Sequence, residues 1–211
     1  MNAPMNAPEH VPEAARLFAG LPERDDAAMD RLRAGLTERA AREGLLDVAY
    51  RTVDTPAGSL LLAATEEGLV RTAYAVQDHE AVLQQLADRI SPRILHAPAR
   101  LDEASRQLDA YFAGRRRRFD LPLDWRLSTG FRRQVLAHLP EIGYGRTESY
   151  AQVAAASGSP RAVRAVGTAC ATNPLPVVVP CHRVIRSDGS AGRYAGGDEA
   201  KRILLTLETT A

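Results

Sequence analysis

From Leu46 to Val76 the chain alternates apolar and polar residues in short runs. "DVAYRTV", "LLLAA" and "LVRTAYAV" are separated by the turn-forming stretches "DTPAGS" and "TEEG". A two-residue period sends successive side chains to opposite faces, so this region predicts an antiparallel hairpin or three-strand meander. On either side the period lengthens to that of a helix. Met29, Leu32, Leu36 and Ala40 form one stripe after Asp25 and Asp26, with Gly44 at the expected stop, and the stripe is expected to pack on the body. Asp78 is placed to cap a helix carrying Val82, Leu83, Leu86 and Ile90, and a further helix is expected from about Leu101 to Phe112, ended by Gly114. "FDLPLDW" alternates once more and predicts another short strand.

After Trp125 the pattern is of helices joined by tight turns. Ser128 or Thr129 is expected to cap "FRRQVLAHL", and "GYG" at 143–145 breaks the chain. Ser149 and Gln152 have capping-box spacing at the start of the next helix, and Gly158 turns the chain after it. Ser159 and Pro160 then fit the cap and first position of "PRAVRAVGTACAT", which must stop before Pro174. Two short helices around a glycine turn form a helix-turn-helix pattern, although many such hairpins bind nothing. In the second helix Arg161 and Arg164 are expected to share a face, while Ala162, Ala165, Val166 and Ala169 keep it slender enough for close approach to a partner. The fold class is α+β: an N-terminal extension over 1–44, its first ten residues disordered and the rest partly helical; a small domain of antiparallel strands and helices over 45–120; and a mostly helical domain over 121–211.

Composition narrows the classes of function. With 211 residues, 45% hydrophobic and 25% charged, the chain can bury a core without staples. Its two cysteines, Cys170 and Cys181, suffice for neither a disulfide framework nor a four-ligand zinc site, which suggests reduced thiols in the cytoplasm. No run has membrane-spanning length, and the N-terminus has no basic segment followed by an apolar one. The net charge of +1 hides an asymmetry: residues 1–114 hold 12 basic against 18 acidic residues, and 115–211 hold 15 against 8. A polyanion would dock on the second half, unless "RRRR" at 115–118 is only a solvated linker.

The candidate chemistry lies in "NPLPVVVPCHRVIRSDG". A cysteine in such a run is often just a small buried apolar residue. As a nucleophile, Cys181 needs a proton acceptor, because the thiolate is the reactive form. His182 adjoins it, but neighbouring side chains point apart in an extended chain, so contact requires a bend at Pro180 or a bridging water.

"PCHRVI", with Asn173 eight residues before its cysteine and "GRYAGG" after it, resembles the active-site signature of the O6-alkylguanine-DNA alkyltransferases. The likeness extends over roughly residues 128–208, and the segment from about 46 to 120 resembles the family's smaller N-terminal domain. The resemblance implies irreversible, single-turnover repair, in which a methyl or small alkyl group passes from O6 of guanine in double-stranded DNA to Cys181. It implies that His182 is the base, acting through a water, that Glu208 orients it, and that Asn173 braces the turn. Tyr150 would help rotate the nucleotide and assist the leaving guanine, and Arg164 would fill the vacated stack. Arg161 and Ser187 would join Tyr150 and Arg164 on the DNA, and Tyr194, Ala195 and Val184 would line the guanine pocket. Ala195 stands where some members carry a serine, so a side-chain hydrogen bond to the guanine oxygen is missing. The protein is expected to be a monomer that enters the minor groove and needs no cofactor. No zinc is expected, because both cysteines lie in the C-terminal part.

Two other readings stay open at this point: a binding-only protein that recognises alkylated DNA, and a cysteine hydrolase unrelated to DNA. Cys181 argues against the first, and the arginines of the alanine-rich helix are unexplained by the second. The repair reading requires a sulfur held ionised at the mouth of a cavity.

Overall fold

The computed structural model describes residues 25–210, so the disorder expected for the first ten residues falls outside it. Helix α1 spans Asp26–Arg42 and carries the (i, i+4) ion pairs Arg42–Glu38 and, just past its end, Arg39–Glu43. Of the stripe expected to pack, Met29, Leu32 and Leu36 are exposed and Ala40 is buried.

From Thr37 onward the chain forms one compact unit. Strands β1 (Val48–Val53), β2 (Leu60–Ala64) and β3 (Leu69–Tyr74) make the predicted antiparallel meander. After helix α2 (His79–Arg89), strand β4 (Ile94–His96) adds to the sheet parallel to β1, giving the order β3-β2-β1-β4. The central strand β2 is buried throughout because both faces of the sheet are covered. Leu61 and Ala63 pack with Val82 and Leu86 of α2. Leu60, Leu62 and Ala64 face the larger core, with Leu108 and Tyr111 of helix α3 (Asp102–Phe112) and residues reaching to Leu204.

"FDLPLDW" forms a single bridge, Leu69 to Leu123, instead of the expected strand. Pro122 has no N–H to continue a ladder; its carbonyl accepts from Leu69 N while Asp124 N donates to Leu69 O. The segment lies so close that a Cβ on Gly68, at φ +142°, would sit 2.3 Å from Pro122 O.

Helix α4 (Gly130–His138) begins after Thr129, but neither expected hydroxyl caps it. Gly130 enters at φ +56°, Thr129 makes no side-chain cap bond, and Ser128 Oγ is buried without a partner. Strand β5 (Glu148–Ser149) leads into α5 (Tyr150–Ala156), where Ser149 and Gln152 form the predicted capping box. Helix α6 (Val163–Ala171) starts three residues later than expected, because Ala162 N bonds Ser159 O in a separate turn. Arg161 therefore lies in that turn and does not share a helical face with Arg164. Strand β6 (Val184–Ile185) pairs parallel with β5, and helix α7 (Gly197–Thr210) closes the described chain. No helix among the described residues is long and apolar enough to cross a membrane.

Candidate active site

The segment after α6 is held from three directions. Asn173 uses its whole amide: Nδ2 donates to Val179 O at 2.9 Å and to Cys181 Sγ at 3.1 Å, and Oδ1 accepts from Leu175 N at 2.9 Å. The turn these bonds enclose forces Val177 to φ +73°, a strained conformation for a β-branched residue. At the free edge of the sheet, Thr72 of β3 donates its N–H to Pro174 O and its hydroxyl to Pro176 O. An edge that would otherwise offer unpaired groups is used to hold the loop.

Pro180 ends the run, and residues Cys181–Arg183 form a single 3-10 turn that buries all three side chains. The chain does bend after Pro180, one of the two ways the sequence left for Cys181 and His182 to meet, yet no direct hydrogen bond joins the two side chains among the described residues. His182 Nε2 lies 2.9 Å from Glu208 Oε1, whereas its Nδ1 is buried without a partner. With Nε2–H donating to the carboxylate, Nδ1 is left as the acceptor, the tautomer a general base needs. Burial pushes the imidazole pKa down more than Glu208 lifts it, so the ring is neutral.

Glu208 is the hub. It accepts from Tyr111 Oη at 2.6 Å, from Arg183 Nη2 at 2.8 Å and Nε at 2.9 Å, and from Gly145 N at 3.1 Å, in addition to His182. Burial alone would raise its pKa, but the bonds from His182, Arg183 and Tyr111 overcome that and hold it well below the carboxylate range.

Cys181 departs from expectation. It is 2% exposed, and burial pushes its pKa up to about 11, although the Asn173 bond and the Lys201 charge pull the other way. The resting sulfur is a thiol at neutral pH rather than the ionised group the sequence reading required. Lys201 is fully buried, with Nζ donating to Val184 O at 2.7 Å and to Ala191 O.

Tyr194 is half-buried, its hydroxyl 3.2 Å from that of Tyr74 on β3 and its ring edge-on to His182 at 6.2 Å. Tyr150 is half-buried at the start of α5, and a Cβ on Gly192 would meet its hydroxyl at 2.7 Å, so the loop before α7 lies against it. Val184 is buried, Ala195 is half-buried, and Arg161, Arg164 and Ser187 are exposed. The fold thus brings Asn173 to Cys181 and Glu208 to His182, two hydrogen-bonded pairs that meet only through the backbone between residues 181 and 182. Sequence reasoning missed Tyr111, Arg183 and Lys201. One signal was available for Lys201: with Leu204 and Glu208 it falls at i, i+3 and i+7, a single helix face.

Residues 130–210 match the family model described as 6-O-methylguanine DNA methyltransferase, DNA binding domain, and 48–125 match its ribonuclease-like domain. The chain is 41% identical over 163 residues to the constitutive methylated-DNA–protein-cysteine methyltransferase of Bacillus subtilis, covering 75% of this chain and 94% of that one. It is 40% identical over 159 residues to the methylated-DNA–protein-cysteine methyltransferase of Methanosarcina barkeri, covering 75% and 96%. Among solved structures it resembles the O6-methylguanine methyltransferase of Mycobacterium tuberculosis at 40% identity and a TM-score of 0.68, over 77% of this chain and 93% of that one. The match to that organism's OGT in complex with DNA has the same values.

Proposed function

The chain belongs to the O6-alkylguanine-DNA alkyltransferase family, enzymes of DNA repair that move an alkyl group from DNA onto a cysteine of their own, and we propose that the acceptor here is Cys181. The observation that carries this assignment is the pair of hydrogen-bonded groups on the buried turn, Asn173 with Cys181 and His182 with Glu208. Asn173 fixes the sulfur, and a neutral His182 offers an unpartnered Nδ1 with an ionised Glu208 behind it.

The substrate is O6-alkylguanine in duplex DNA. A water that bonds the vacant Nδ1 carries the thiol proton to His182, and Glu208 stabilises the imidazolium that results. The thiolate attacks the alkyl carbon; the S–C bond forms as the C–O bond breaks, and the electron pair leaves with guanine. Guanine then takes up a proton, a step we assign Tyr150 to assist. Because Cys181 rests as a thiol, this proton transfer must precede or accompany the attack. The product thioether is not cleaved by water, so each molecule acts once.

A base inside a duplex must be extruded before its O6 can meet a buried turn, which costs a few kcal/mol. We assign Arg164 on α6 to fill the gap, Arg161 and Ser187 to supporting DNA contacts, and Tyr194, Val184 and Ala195 to the pocket. The small residues of α6 suit the minor groove, where close approach matters more than base readout. The protein works as a monomer in the cytoplasm; its two free cysteines suit a reducing compartment.

Arg164 is exposed and makes no contact with the catalytic groups, so its role is separable. Arg164→Ala is expected to slow repair of an O6-methylguanine duplex about tenfold or more, while reaction with the free O6-methylguanine base changes less than about twofold. Single-turnover rates on the two substrates provide the check; equal slowing of both would remove the case for base displacement.

A further inference from the structure

Asn173 also borders a cavity of about 370 Å³ that the alkyl-transfer chemistry does not use. Its walls carry Arg71 from β3, Arg89 from the last turn of α2 and Arg132 from the first turn of α4. Arg132 donates to Leu127 O. Among the described residues, Arg71 and Arg89 form no ion pair, and no carboxylate lines the cavity. Arg71 is half-buried, and its pKa is lowered first by that burial and then by the charge of Arg89. Three cations from three separate elements thus converge on one concavity without a counter-charge. Gln85 and Gln77 also line it; Gln77 spends its Oε1 on Tyr74 N, which leaves its amide N–H groups as donors.

We propose that this cavity binds a phosphate group. Guanidinium groups recognise phosphate through paired, charge-assisted hydrogen bonds. An oxyanion would relieve the mutual repulsion of cations that water now screens. The carboxyl end of α6 also contributes wall atoms, with a partial charge of about −0.5 that opposes binding, but three full positive charges outweigh it. The volume falls within the range of about 300–1,000 Å³ usual for small-ligand sites, so the phosphate can belong to a free ion or a small ester as well as to a DNA backbone.

The test is calorimetric titration of orthophosphate into the full chain in low-salt buffer, with Arg71→Met and Arg89→Gln alongside. Arg89 is exposed, so its variant keeps the experiment decisive even if the half-buried Arg71 proves necessary for folding. Wild type is expected to bind one phosphate per chain, and each variant about tenfold or more weakly. Repeating the titration on protein saturated with undamaged duplex distinguishes the sources. Unchanged phosphate affinity identifies a free phosphate ligand, whereas lost binding, together with weaker duplex affinity in both variants, identifies the DNA backbone. Phosphate binding by Arg89→Gln equal to that of wild type, or no saturable binding by wild type, would overturn the proposal.

Discussion

Glu208→Gln is expected to slow methyl transfer about 100-fold or more and to destabilise the fold by about 3 kcal/mol. The first figure follows from the typical worth of a general base, whose imidazolium form would lose its counter-charge. The second follows from leaving Arg183 buried, 5% exposed, opposite a neutral amide; breaking a buried pair on one side costs roughly 3–5 kcal/mol. The new NH2 would also face donors, since His182, Arg183, Tyr111 and Gly145 all donate to the carboxylate. In a chain of this size the midpoint of thermal unfolding should fall by about 6–12 °C. The effect has a pH signature. Because the folded carboxyl is depressed relative to its ordinary 4.5, its stabilisation is complete above that value and is lost as pH falls through the folded pKa. Wild-type stability should therefore decline on acidification below about pH 4.5 more steeply than that of Glu208→Gln. Thermal melts between pH 3 and 7, with transfer rates taken well below each midpoint, separate the two effects; matching midpoints at neutral pH would contradict the hub assigned to Glu208.

Lys201→Met is the second large effect. The ammonium lowers the pKa of Cys181, and its bonds to Val184 O and Ala191 O tie the loop that carries Tyr194 to the strand after the active-site turn. Its removal is expected to raise the thiol pKa above about 11, with about tenfold less thiolate for each unit of increase. Transfer should slow by about tenfold or more. The discriminating readout is the pH profile of Cys181 alkylation by iodoacetamide, followed on the Cys181 peptide. In wild type the rate should climb through alkaline pH towards about 11; in Lys201→Met the climb should start later. A lower melting point with an unmoved profile would make Lys201 a loop staple without electrostatic influence on the sulfur.

Much of this architecture was readable along the chain because its signals are local. The meander is written in period-two runs and turn residues, the α2 cap in Asp78, and the α5 capping box in Ser149 and Gln152. The failures have local causes too. Strand β4 is three residues long, too short to establish a period, and the α6 boundary moved because a Ser159–Ala162 bond satisfied the backbone before the helix began. The capping hydroxyls at 128–129 were defeated by the positive φ of Gly130.

The site was legible in a different way. Cys181, His182, Asn173 and Glu208 could be named through a family resemblance, but what surrounds them could not. Tyr111 sits at i+3 from Leu108 and i+7 from Ala104, the spacing of an ordinary core stripe, and nothing along the chain says that its hydroxyl meets a carboxylate 97 residues away. The same holds for Arg183, whose guanidinium meets that carboxylate from 25 residues away. The protonation of Cys181 is a consequence of burial, which depends on elements from both halves of the chain, so sequence alone supported an ionised sulfur and the fold supports a thiol.

Alkyl transfer to Cys181 is tested most directly by incubating the protein with a duplex containing one O6-methylguanine, digesting it and weighing the Cys181 peptide. One added methyl at one equivalent per chain, with Cys170 unmodified and the duplex guanine restored, is the predicted result. Restored guanine beside an unmodified Cys181 peptide would show that Cys181 is not the acceptor.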